Sequence, residues 1–192
     1  AGIPRLSYAA MVVLAIAIGV WLVASITGVS PVPVGPIEGD PALVWAALII
    51  ASFFAVFGWA TMFNVPLGTA VASGVVAIVG NVPRLLLLEN GIKPHVATFV
   101  GCVIMGLGCA VVAYWFHMTK IIMTVPTLLV SIPGSSALRT LIYFDQADIT
   151  AAIESGVSTV LVVVAMVAGL SGARMLTDPE WTFTRPATGR TI

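Results

Sequence analysis

Charge is what this sequence has least of. Its 192 residues carry eight Lys or Arg and eight Asp or Glu, 8% of the chain, where an ordinary soluble domain carries about 25%. With 59% hydrophobic residues and a mean hydropathy of +1.11, that scarcity excludes a soluble globular domain. The chain reads as an all-α integral membrane protein, a bundle of five to six transmembrane helices. The formal net charge is zero, so nothing in the composition suggests a nucleic-acid partner.

Thiols and imidazoles are scarcer still. Cys102 and Cys109 lie seven residues apart on one face of an apolar stretch. They read as small packing residues rather than a disulfide, and two cysteines alone make no metal site. His95 and His117 fall at the ends of predicted segments and read as interfacial. No pattern of a hydrolytic triad, a zinc site or a phosphate loop is present. Ser135 and Ser136 have no base near them in the sequence, which disfavours nucleophilic catalysis. No enzyme activity and no cofactor is expected.

What the chain has in abundance is apolar runs of about 20 residues, the length that spans a bilayer. Segment one is Leu6–Thr27, too long for a signal-peptide core and without a convincing cleavage site. A proline-rich loop, Ser30–Pro41, carries Glu38 and Asp40 and no Lys or Arg. Segment two is Ala42–Phe63, with Trp45 and Trp59 near its ends, where an aromatic belt belongs. Segment three, Leu67–Val82, ends at Asn81-Val82-Pro83-Arg84. Its Ala70/Gly74 and Ser73/Ala77 pairs allow close helix approach. Segment four is Val96–Phe116, with Gly101 and Gly108 on one face. Segment six is Ile149–Leu170, with Asp148 as its N-cap and the small pairs Ala165/Gly169 and Ala168/Gly172 toward its end. A polar tail follows from Ala173. Residues 1–41 thus form an extra helix and loop, 42–175 a membrane domain, and 176–192 a cytoplasmic tail. The Lys/Arg bias favours both termini in the cytoplasm, with Lys120 and Arg174 inside, Arg84 and Lys93 outside, and Arg139 near the outer end of its segment.

Segment five, Ile121–Phe144, is apolar yet interrupted, at Pro126 and again at Pro133-Gly134, because proline removes a donor and clashes with the preceding turn. Ser135, Ser136, Arg139 and Thr140 follow the second break directly. Irregular backbone at membrane depth persists only where protein buries it or it lines a cavity, and broken helices of this kind mark substrate sites in transporters. Arg139 reads either as a fork for a carboxylate or as an arginine snorkelling to the outer interface. Glu154, a turn and a half into segment six, reads either as a proton-coupling carboxylate, with Arg139 as a candidate partner, or as a wet residue ahead of the true span. Arg84 is substrate-facing or interfacial.

Three elements occur in order: Phe63-Asn64-Val65-Pro66, then Gly80-Asn81-Val82-Pro83-Arg84, then Val125-Pro126 with Ile132-Pro133-Gly134-Ser135. In this the chain resembles the bacterial threonine/serine exporter family, specifically the C-terminal membrane half that is a separate small subunit in split members. The likeness covers about Val44 to Met175. It implies export of small metabolites across the bacterial cytoplasmic membrane. Fused members are similar to exporters of threonine and serine driven by the proton motive force, and a split pair is associated with a dicarboxylate, succinate. It implies as partners a larger membrane subunit, further copies of the chain, or both. On this basis Asn64, Asn81 and Arg84 join Pro133, Gly134, Ser135, Ser136 and Arg139 as candidate substrate-binding residues. Many relatives have a tyrosine shortly after the break, where this chain has Leu138; Tyr143 lies further on. A non-transporting assembly subunit, its small-residue faces serving only as helix contacts, is the alternative reading.

Overall fold

The computed structural model describes residues 39–117 and 119–177, with isolated helical positions between Met11 and Ile26. Most of segment one, most of the loop after it and the tail beyond Thr177 lie outside the described residues. Every regular element among them is helical: α1 Pro41–Met62, α2 Leu67–Glu89, α3 Pro94–Trp115, α4 Lys120–Leu128 with a 3-10 turn Leu129–Ser131, α5 Gly134–Asp145 and α6 Ile149–Thr177. Four of these, α1, α2, α3 and α6, are long and apolar enough to cross a membrane, and a fifth span results if Lys120–Ser131 and Gly134–Phe144 count together.

The helix ends follow from local chemistry. Asp40 caps α1, its carboxylate accepting from Ala42 N–H at 3.0 Å, and Pro41 takes the first helical position, where a missing donor is harmless. α1 closes on Asn64, whose φ is 59°. Asn64 N–H donates to the Thr61 carbonyl and Val65 N–H to that of Ala60, the Schellman pattern. Gly91 ends α2 and Ala147 ends α5 in the same way, both at positive φ. Asp148 then caps α6, accepting from Ala151 N–H at 3.1 Å, as its place in the sequence predicts. Asp148→Ala is expected to destabilise the α5–α6 turn by about 1 kcal/mol and Asp148→Asn by much less, read as shifts in thermal unfolding midpoint.

Proline behaves differently from expectation at two places. α2 does not stop at Val82; it runs through Pro83 to Glu89. Pro126 does not interrupt α4, which passes through it. In apolar surroundings an unwound backbone finds no water to bond, so the helix tolerates one lost donor rather than unwinding. Around Pro126, Thr124 and Thr127 turn their hydroxyls onto the carbonyls of Lys120 and Met123, each at 2.7 Å, and the chain then tightens into the 3-10 turn. The true interruption is Ile132-Pro133, as the Pro-Gly pair predicts. α6 also continues past Leu170 to Thr177, with Arg174 in its last turn. There Lys120 Nζ donates to the Thr177 carbonyl at 3.3 Å, a cation at the negative end of the helix.

The described chain divides into two compact units, one holding Ser135–Gly156 and the other Ile37–Gly134 with the chain from Val157 on. In the first, the Ser136 carbonyl accepts from both Thr140 Oγ1 and Ser155 Oγ at 2.9 Å, tying α5 to the start of α6. In the second, α2 and α3 cross with backbones almost touching: a Cβ on Gly101 would lie 3.1 Å from the Gly80 carbonyl oxygen and 3.0 Å from Arg84 Cβ. The interior is lined by small and soft side chains, with Val76, Cys109, Ala113 and Met123 forming a core cluster. Both cysteines are free and buried.

Candidate functional site

The most concentrated chemistry in the larger unit sits at the α2–α3 crossing. Asn81 and Arg84 are one helical turn apart on α2, and Arg84 Nη1 donates to Asn81 Oδ1 at 3.1 Å. The Arg84 Nε–H donates to Thr98 Oγ1 on α3, also at 3.1 Å. Asn81 in turn donates through Nδ2 to Ser52 Oγ on α1 at 2.8 Å, and Ser52 passes its proton to the Leu48 carbonyl at 2.7 Å. Ser52, Asn81 and Thr98 are buried, and Arg84 is half-buried. α3 therefore meets the guanidinium directly, and α1 reaches it through Asn81. The glycine at 101 allows this, because the Arg84 stem lies against its bare Cα.

Arg84 stands five residues before the end of α2, about 8 Å inside it at the usual helical rise. A snorkelling arginine would reach toward the end of the helix. This one is held back toward Asn81, one turn deeper, and sideways toward Thr98. A guanidinium has five N–H donors, and two are used here. Among the described residues no carboxylate pairs with Arg84. An intramembrane cation without a counter-ion is costly, and the remaining donors on Nη1 and Nη2 form the edge that a carboxylate meets with two parallel hydrogen bonds.

The other sequence candidates are placed elsewhere. Asn64 forms the α1–α2 turn and its side chain is exposed; asparagine suits the left-handed backbone there. Pro133 is buried, while Gly134 and Ser135 are exposed and Ser136 is half-buried. Arg139 and Glu154 are both exposed, in the unit that holds α5. The structure thus joins Asn81 to Arg84 and adds Ser52 and Thr98, which the sequence reading had not singled out. Their one signal was a hydroxyl inside an otherwise apolar run.

The described residues define an all-α multi-pass membrane protein with a hydrogen-bonded arginine inside a span. The sequence pattern of the threonine/serine exporter family, ThrE, matches residues 48–175, two thirds of the chain, and the chain belongs to that family. No curated protein and no solved structure matches it.

Proposed function

We propose that the chain is a membrane subunit of a secondary exporter of small carboxylate-bearing metabolites, threonine and serine or a dicarboxylate such as succinate. It works in the bacterial cytoplasmic membrane, is driven by the proton motive force, and acts with a larger partner subunit or further copies of itself. The observation that carries the reading is Arg84: a cation inside a span, positioned by Asn81 and Thr98, with no carboxylate partner among the described residues. Every candidate substrate brings the missing carboxylate. Ser135, Ser136 and Arg139 after the Pro133-Gly134 break form a second candidate substrate group, and Glu154 is the candidate proton carrier.

The test is export of labelled threonine, serine and succinate from cells lacking their own exporters, expressing this chain with and without the larger subunit. Export that requires the chain supports the reading. Export of none of the three, with both subunits present in the membrane, removes it in favour of an assembly role. A Ser135→Ala, Ser136→Ala, Arg139→Gln triple variant that exports at the wild-type rate takes the second group out of the site. Full pH dependence of export retained in Glu154→Gln excludes the proton role.

A further inference from the structure

We propose that Ser131 is a positioning residue for the Arg84 site, its hydroxyl latching the end of the α4 arm onto the α2–α3 crossing that presents the guanidinium. Only the transport consequence rests on the exporter reading above; the latch itself does not.

The contacts form an unbroken series. Ser131 closes the 3-10 turn just before Pro133 and is fully buried. Its hydroxyl donates to Met105 Sδ on α3 at 3.7 Å, and Cys102, one turn before Met105, is fully buried as well. Met105, also fully buried, occupies the space that a side chain at Gly80 would need. Gly80 and Gly101 meet backbone to backbone, and a Cβ on Gly101 would lie 3.4 Å from Arg84 Cδ. Ser131, Met105, the glycine crossing and Arg84 are therefore packed in sequence, with Met105 linking the turn to the crossing. Packed interiors transmit displacement of this kind.

The chemistry of the latch suits a contact that opens and closes. A thioether sulfur is a weak acceptor, so the turn is keyed in place more loosely than an oxygen acceptor would hold it. Methionine has three rotatable bonds and adapts to a moving neighbour. The residue that ends the α4 arm is thus held by a soft contact on α3, the helix that Gly101 brings against the stem of Arg84.

The two native thiols give a direct readout. Cys102 lies one turn before Met105 on α3, whereas Cys109 lies one turn after it, in the core cluster with Met123 nearer the start of α4. Alkylation by N-ethylmaleimide is followed in membranes without substrate, at Cys102 in a Cys109→Ser background and at Cys109 in a Cys102→Ala background. Ser131→Ala and Met105→Leu are each expected to speed labelling of Cys102 about fivefold and to leave Cys109 unchanged. Unchanged labelling of Cys102 overturns the latch. Faster labelling at both thiols overturns it as well, because it reports general loosening. In export assays Ser131→Ala is expected to raise the half-saturating concentration about fivefold while the maximal rate stays put; a lowered maximal rate with an unchanged half-saturating concentration contradicts the role. Wild-type export by Arg84→Gln would remove the carboxylate reading and leave the labelling result to decide the latch.

Discussion

Arg84→Gln is expected to abolish most export at unchanged membrane abundance. Truncating one partner of a desolvated, hydrogen-bonded charge pair costs about 2–5 kcal/mol, which corresponds to roughly 30- to several-thousand-fold in affinity. Glutamine can still bond Asn81 or Thr98, so the fold keeps its local partners while the charge and the fork are gone. Arg84→Lys keeps the charge but offers a compact ammonium in place of a planar fork. It cannot reach Asn81, Thr98 and a carboxylate with one geometry, and it is expected to recover only a small part of the activity. The measurement is export rate against internal substrate concentration, with the loss appearing mainly in the half-saturating concentration. Export by Arg84→Gln within twofold of wild type would show that substrate does not meet this guanidinium.

The second large effect concerns packing. A Cβ at Gly169 on α6 would sit 2.7 Å from the Phe99 carbonyl oxygen, 3.0 Å from Cys102 Cβ and 3.4 Å from Val103 N. These are backbone atoms and the first carbon of a side chain, so none can rotate away. Gly169→Ala forces α3 and α6 apart and is expected to destabilise the protein by about 1–3 kcal/mol, with Gly169→Val worse. Gly172, one turn on in the same small-residue pattern, has nothing within 4 Å. Gly172→Ala is expected to be neutral or stabilising by up to about 1 kcal/mol, the helix-propensity gain. Thermal unfolding of the two alanine variants in detergent compares them directly. Equal midpoints would mean that α3 and α6 do not make this contact.

That pair shows how far the sequence could be read. Ala165/Gly169 and Ala168/Gly172 look alike on paper, and only the packed helices tell which glycine is covered. Where the signal was local chemistry, it was legible. α1 and α3 fall within two residues of segments two and four, because proline, asparagine and polar corners bound them. The Pro133-Gly134 break and the Asp148 cap were equally local. Pro83 and Pro126 were misread because proline's power to end a helix is learned in water, where freed carbonyls find solvent. The two Asn-Val-Pro triplets make the same point. Asn64 ends a helix on a left-handed residue, whereas Asn81 lies mid-helix and bonds Ser52 and Arg84. The Arg84 site was half legible: the asparagine and arginine stood next to a proline, but their partners Ser52 and Thr98 lie 29 and 14 residues away, and no spacing rule connects them.

A guanidinium within a span, with no carboxylate partner among the described residues, would also make the protein sensitive to membrane voltage. One elementary charge moved across the whole membrane corresponds to about 2.3 kcal/mol per 100 mV, and a charge displaced through part of the field feels that fraction. The empty Arg84 site carries one positive charge. A bound zwitterion such as threonine leaves that charge unaltered, whereas a dianion such as succinate reverses its sign. With Glu154 in one protonation state the loaded site differs by two elementary charges between the two substrate classes, and the voltage dependence of the loaded step separates them.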